Sequence, residues 1–309
     1  MFSVLFPGQG SQLVGMGKNL HNNFNYIKSI YEEADEILKT NLSKIILDGP
    51  KDLLDQTENT QPAIFLTSYS IFKVIKNETS FDVSKAVFFA GHSLGEYSAL
   101  ACSGSITFEQ TLKLLKIRGE SMQNAVPKGE GGMLAVLGSK VKNIEDILTK
   151  HKNDFNCYIA NDNSEGQTVV SGLIKDIDSL SNLLKELGIK NIKLPVSAPF
   201  HSILMRPATN IMKNEILKIE FKKPLTDIIS NVSANPVNNP EEIKNLLVEQ
   251  IEKPVRWRES IIKMIDSNVN RFIEIGPGKV LSGIIKRIDR NVTTNQVNEI
   301  DDILNLKND

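Results

Sequence analysis

The sequence predicts an α/β protein in two parts: a large domain on a central parallel sheet and a smaller α+β domain inserted into it. Three observations carry this. A serine-bearing turn, Gly91-His92-Ser93-Leu94-Gly95, follows a short apolar β-prone run and precedes a helix-compatible stretch. The composition changes at Val126-Pro127-Lys128-Gly129-Glu130-Gly131-Gly132, a flexible crossing point of the kind found at domain boundaries. The chain then returns through Pro195-Val196-Ser197-Ala198-Pro199 to a final strand and helix at 271–275 and 280–287. The serine turn makes the large domain α/β-hydrolase-like, and it is assigned residues 1–125 and 196–309.

Taken in order, residues 3–6 form a strand that stops at Pro7-Gly8-Gln9-Gly10-Ser11-Gln12. Glycine-rich backbone there marks either a close approach to a ligand or a plain surface turn. Ile27, Ile30, Tyr31, Ala34 and Ile37 share a stripe that predicts a helix over 24–38, and the stretch up to Asp48-Gly49-Pro50 reads as a loop. Thr60-Gln61-Pro62-Ala63 opens a second helix through Phe72 and Val74, with its proline in the first turn. After the serine turn a helix runs over 96–102, and another over 107–124. Arg118 falls at the border of the apolar face of that last helix. Periodicity alone leaves it as either a solvated flank or a partly buried cation needing an anionic partner.

The inserted domain, 126–195, shows strand 133–137, helix 141–150, strands 157–160 and 168–171, helix 174–187 and strand 192–194. This order is ferredoxin-like. Asn161-Asp162-Asn163-Ser164 reads as turn chemistry between the middle strands. Back in the large domain, a helix runs through Ile211 and Ile216, a strand over 227–231 and a helix over 241–249. The segment 250–257 reads as a proline-containing loop, and the polar tail past Asn291 as peripheral.

Composition excludes several function classes. The 309 residues carry 36 Lys+Arg against 37 Asp+Glu, a net charge of −1, which offers no field for nucleic acid or an anionic membrane surface. No apolar run reaches the roughly 18 residues of a membrane span. Cys102 and Cys157 make no disulfide framework, and no Cys/His cluster has zinc spacing, so a reducing cytoplasm and no metal are expected. The first residues lack a positive region before their apolar run, so they read as a strand and not a signal peptide.

Chemistry concentrates at Ser93. A sharp strand-to-helix turn pushes the hydroxyl out above the sheet, and the N–H of Leu94 at the helix start can face a developing oxyanion. Such a serine needs a base. Of the four histidines, His21 and His151 lie in polar surroundings, and His92 points away from Ser93 by strand alternation. His201, after a proline-bounded loop, is therefore the candidate. The acids between them, such as Asp162 and Asp176, fall in the inserted domain, so a neutral acceptor such as a backbone carbonyl is expected to hold the imidazole.

Several motifs, in order and spacing, resemble the malonyl-CoA:acyl carrier protein transacylase family over about residues 5–285. They are Phe6-Pro7-Gly8-Gln9-Gly10-Ser11-Gln12, Thr60-Gln61-Pro62-Ala63, Gly91-His92-Ser93-Leu94-Gly95-Glu96-Tyr97, Arg118, Asn161-Asp162-Asn163-Ser164, Pro199-Phe200-His201, Gln250 and Gly276-Pro277-Gly278. The resemblance implies an acylated Ser93, His201 as base and then acid, and a Gln250 carbonyl orienting that histidine. It also implies an oxyanion hole from Gln9 and Leu94, and Arg118 clamping a malonyl carboxylate. Phe200 stands where several bacterial relatives have serine, and polyketide acyltransferases with phenylalanine there tend to prefer malonyl over methylmalonyl. The expected protein is a cytoplasmic monomer acting on malonyl-CoA and holo acyl carrier protein, with no tightly bound cofactor. A serine hydrolase, a polyketide-type acyltransferase and a catalytically silent carrier-docking module remain alternatives.

Overall fold

The structure, a computed structural model, describes residues 1–196 and 198–308. Its strands are β1 (Phe2–Phe6), β2 (Phe89–Gly91), β3 (Gly131–Leu137), β4 (Cys157–Ser164), β5 (Gln167–Leu173), β6 (Lys190–Lys193), β7 (Ile228–Ile229), β8 (Pro236–Val237), β9 (Arg271–Ile275) and β10 (Thr293–Val297). They form two separate sheets. The larger has the order β10-β9-β1-β2-β7-β8, parallel throughout except for the β7–β8 pair at one edge. The smaller, β4-β5-β3-β6, is antiparallel.

β1 is central and every residue of it is buried, as a parallel strand covered on both faces requires. Its side chains alternate between two cores. Phe2, Val4 and Phe6 join Phe89, Ile273 and Ile275 under the helices Asn25–Leu38, Thr57–Glu78, Phe108–Gln123 and Arg206–Leu217. Leu5 joins Ala90 and Phe272 on the other face, beneath the helices Trp257–Asp266 and Val280–Ile288. A third core sits between the small sheet and its two helices, Val141–Lys150 and Ile174–Glu186, through Leu134, Val136, Val170, Ile144 and Ile177. The two sheets are joined by backbone. Val255 donates to the Ala160 carbonyl at 2.9 Å, and the Asp162 N–H donates to the Val255 carbonyl at 3.0 Å.

Four local expectations are corrected, and one helix is added. The stretch up to Pro50 holds the helix Leu42–Asp48, and Lys51–Leu54 follows it; both are short and weakly periodic. The helix expected from Thr60 begins at Thr57, which puts Pro62 inside it. Tertiary packing over that turn, where Gly119 lets the two helix backbones approach, outweighs the N–H that proline lacks (a Cβ at Gly119 would lie 2.6 Å from the Glu58 Cα). Asn161, Asp162, Asn163 and Ser164 lie in β4 and not in a turn: Asp162 pairs with Arg258, Asn163 with His92, and the Asp162 N–H donates to the Val255 carbonyl. Residues 257–266 are helical, with Trp257 fully buried. The tail supplies the edge strand β10 and the helix Ile300–Leu304.

Candidate active site

β2 ends at Gly91, and the helix Leu94–Cys102 starts one residue after Ser93. Ser93 sits between them at φ 54° and ψ −110°, a left-handed conformation that side chains rarely adopt. The turn has no spare volume: a Cβ on Gly91 would lie 1.9 Å from the Gly95 carbonyl carbon. Gly91→Ala is therefore expected to cost about 4 kcal/mol or more in stability, read as a fall in the thermal unfolding midpoint. The strain at Ser93 is held from outside the turn by Asn231, just past β7. Asn231 Oδ1 accepts from the Ser93 N–H at 2.7 Å, and its Nδ2 donates to the Gly91 carbonyl at 2.8 Å.

His201 is buried, also at positive φ (56°), and its Nε2 lies 2.8 Å from Ser93 Oγ. Its Nδ1 is 2.7 Å from the Gln250 carbonyl oxygen. A carbonyl only accepts, so the ring proton sits on Nδ1 and the Nε2 lone pair faces the hydroxyl. Burial, reinforced by the Arg118 charge, pushes the imidazole down to about 3, so it is a neutral base. Of the acids between the two residues, Asp162 pairs with Arg258 at 2.8 Å, and Asp176 is buried in the first turn of the helix Ile174–Glu186.

Arg118 is 1% exposed, so the solvated-flank reading is wrong. Its Nη2 donates to Ser93 Oγ at 3.1 Å and to Gln250 Oε1 at 2.9 Å, its Nη1 donates to Gln61 Oε1 at 2.8 Å, and its guanidinium lies 5.5 Å from the Tyr97 ring centre. Below this layer Glu96 is buried, with Oε2 accepting from Gln250 Nε2 at 2.7 Å and from the Asn231 N–H at 3.1 Å. Burial raises its carboxyl to about 7.

These groups open into a cleft of about 110 Å³ between the two sheets. Gln9, just past β1, and Leu94 both line it beside Ser93, along with Met122, Met133, Asn161 and Phe200. The Leu94 N–H belongs to the first turn of its helix, where backbone donors have no intrahelical partner. His92 also borders the cleft, and the partners of its ring are Asn163 and Trp257 and not Ser93 Oγ. Its Nε2 is 2.9 Å from Asn163 Oδ1 and its ring packs 5.4 Å from Trp257. A serine oxygen, a neutral imidazole and a buried guanidinium within hydrogen-bond reach can move an acyl group that carries a negative charge.

The Acyl transferase domain family matches residues 4–301. The chain belongs to that family. This acyl transferase is 43% identical over 299 residues to the malonyl CoA-acyl carrier protein transacylase of Bacillus subtilis (strain 168), covering 96% of this chain and 93% of that protein. It is 36% identical to the protein of the same name from Escherichia coli (strain K12), covering 96% of each. Among solved structures it resembles an acyl-carrier-protein-S-malonyltransferase from Bartonella henselae, with TM-score 0.95, 43% identity and coverage of 98% and 96%. It also resembles a malonyl-transacylase in complex with a type II PKS acyl-carrier protein, with TM-score 0.93, 35% identity and coverage of 98% and 97%.

Sequence reasoning missed the groups that hold the acyl transferase site together. Asn231 stood only as the end of a strand, and Gln61, Glu96 and Asn163 as members of motifs without roles. For Gln61 and Glu96 the available signal was a polar residue next to an apolar helical stretch; Asn163, among Asn161, Asp162 and Ser164, offered none. Gln61, Glu96 and Asn163 are each buried, a position polar side chains hold only with partners.

Proposed function

We propose that this chain moves a malonyl group from malonyl-CoA to the phosphopantetheine thiol of holo acyl carrier protein, through a malonyl-Ser93 intermediate, in fatty acid biosynthesis. One observation carries the reading: Ser93 Oγ is shared between the base nitrogen of His201 at 2.8 Å and the buried Arg118 guanidinium at 3.1 Å. Ser93 Oγ attacks the thioester carbonyl carbon while His201 Nε2 takes its proton. The negative oxygen is met by the N–H groups of Gln9 and Leu94. The C–S bond then breaks, and the CoA sulfur takes the proton from His201. The carrier thiol runs the same steps in reverse. The Gln250 carbonyl stabilises the imidazolium formed midway, and Arg118 pairs with the free carboxylate of the malonyl group.

The thioester brings its own leaving group, so no tightly bound cofactor or metal is required. All the groups named come from one chain, which supports a monomer, and two free thiols fit a reducing cytoplasm. On this reading the large sheet and its elbow are α/β-hydrolase-like, the 126–195 insert is ferredoxin-like, and residues 1–125 and 196–309 form the catalytic domain. No helix among the described residues is long and apolar enough to cross a membrane.

The test is intact mass after incubation with malonyl-CoA. A gain of one malonyl group on Ser93, discharged by holo carrier protein, supports the reading. Release of free malonate without transfer makes the protein a hydrolase, and carrier binding without acylation makes it a docking module. The pH dependence is a further expected result. A base held at about 3 stays neutral far below the ordinary histidine value of about 6.5. The fall in kcat/KM on acidification is therefore displaced well below 6.5, and a break at 6.5 would assign the base wrongly.

A further inference from the structure

We propose that Glu96 is a positioning residue for acyl transfer: its buried carboxylate fixes the Gln250 amide and the Asn231 backbone, and through them both the nucleophile and the base. The inference rests on the acyl-serine reading. Gln250 has four duties in this site. Its carbonyl holds His201 Nδ1, its Oε1 holds Arg118 Nη2, and its Nε2 donates both to the Ser93 carbonyl at 3.0 Å and to Glu96 Oε2 at 2.7 Å. A primary amide flips easily, because its two ends have nearly the same shape. Here it cannot. Arg118 has only donors, so it requires the amide oxygen, while Glu96 Oε2, already accepting the Asn231 N–H, and the Ser93 carbonyl both present lone pairs and require the amide nitrogen.

The same Glu96 oxygen accepts the Asn231 N–H at 3.1 Å. Asn231 in turn clamps the elbow on both sides of His92, through the Gly91 carbonyl and the Ser93 N–H. One oxygen atom thus fixes two braces. Without it, the Gln250 NH2 keeps the Ser93 carbonyl at 3.0 Å but loses its shortest bond, and the Asn231 N–H loses its side-chain acceptor. The guanidinium, the Ser93 carbonyl and the segment carrying the histidine's acceptor then lose their common reference.

The geometry asks for an acceptor oxygen at that point and not for a charge. Glu96→Gln keeps a carbonyl oxygen facing both donors, whereas Glu96→Ala removes it. Glu96→Asp keeps the charge and withdraws the oxygen by one methylene. In the full chain, Glu96→Ala is expected to lower kcat for malonyl transfer about 100-fold per folded molecule, the scale of a 1 Å misplacement. Glu96→Gln should stay within about fivefold of the unchanged protein, as the loss of one net hydrogen bond allows. Glu96→Asp should fall nearer to alanine than to glutamine.

A second readout is the rate at which a fluorophosphonate labels Ser93. There the serine oxygen displaces fluoride from phosphorus and His201 takes the proton, so no malonyl chemistry is involved. The label should slow in the same order, alanine and aspartate most. Unchanged rates in folded Glu96→Ala, or equal damage from glutamine and alanine, overturn the proposal. If Glu96→Ala does not fold, the contrast between aspartate and glutamine decides it. Should the unchanged protein gain no malonyl mass, the functional reading fails by itself, and the labelling series still judges Glu96.

Discussion

Replacing Ser93 with alanine is expected to abolish the malonyl mass gain and lower transfer to carrier protein by roughly 10⁵–10⁶-fold, the scale set by deleting the nucleophile of a serine hydrolase. The covalent route has no second hydroxyl or thiol in the cleft, whose other polar side chains are the amides of Gln9, Gln61 and Asn161, the Arg118 guanidinium and the imidazoles of His92 and His201. Cys102 cannot take over, because it lies in the core beneath the large sheet and burial pushes its thiol well above the ordinary value. The fold should survive, since alanine keeps the Cβ that the turn already accommodates and the Asn231 bond is to backbone. Intact mass together with a radiolabelled transfer assay checks both halves. Residual transfer above about 1% would remove Ser93 from the reaction, because background catalysis lies orders of magnitude lower.

Arg118→Ala should separate two acyl groups. Malonyl transfer is expected to fall about 10²–10³-fold, the loss of a buried charge-assisted pair, while acetyl transfer survives or rises. The guanidinium already touches the nucleophile at 3.1 Å, so a carboxylate one carbon beyond the reacting carbonyl can reach it with little movement of the arginine. An acetyl group has nothing to offer that cation. Arg118→Lys should recover only part of the loss, since one ammonium cannot span Gln61 and Gln250 as the two Nη atoms do. Comparing kcat/KM for both acyl-CoA substrates, with thermal melts as a control for folding, decides it. Equal losses would dismiss the carboxylate clamp.

Much of the frame was legible because it depends on local signals. β1, β9 and the elbow are apolar runs closed by glycine, and the helix Phe108–Gln123 starts on a Thr107–Gln110 capping box before a regular stripe. β10 escaped because its sequence, Thr293-Thr294-Asn295-Gln296-Val297, is that of a half-exposed edge strand without an apolar face. Residues 161–164 escaped because Asn, Asp and Ser look the same in a turn as in a strand where Asn163 and Asp162 meet His92 and Arg258, far away in sequence. Arg118 was ambiguous for a related reason. Its burial depends on Gln61 and Gln250, 57 and 132 residues away, which no window of helical periodicity contains.

β4 touches the site at three places: Asn161 lines the cleft, Asn163 holds His92 beside the nucleophile, and the strand pairs through Ala160 and Asp162 with Val255, five residues beyond Gln250. Arg258 adds a two-pronged grip on Asp162. One strand of the small sheet therefore works like the fixed jaw of a gauge, setting the gap into which the acyl chain must fit. Tolerance for acyl size is then a property of the spacing between two sheets as much as of the side chains facing the substrate. Substitutions in β4 that never meet the acyl group should alter which groups are accepted.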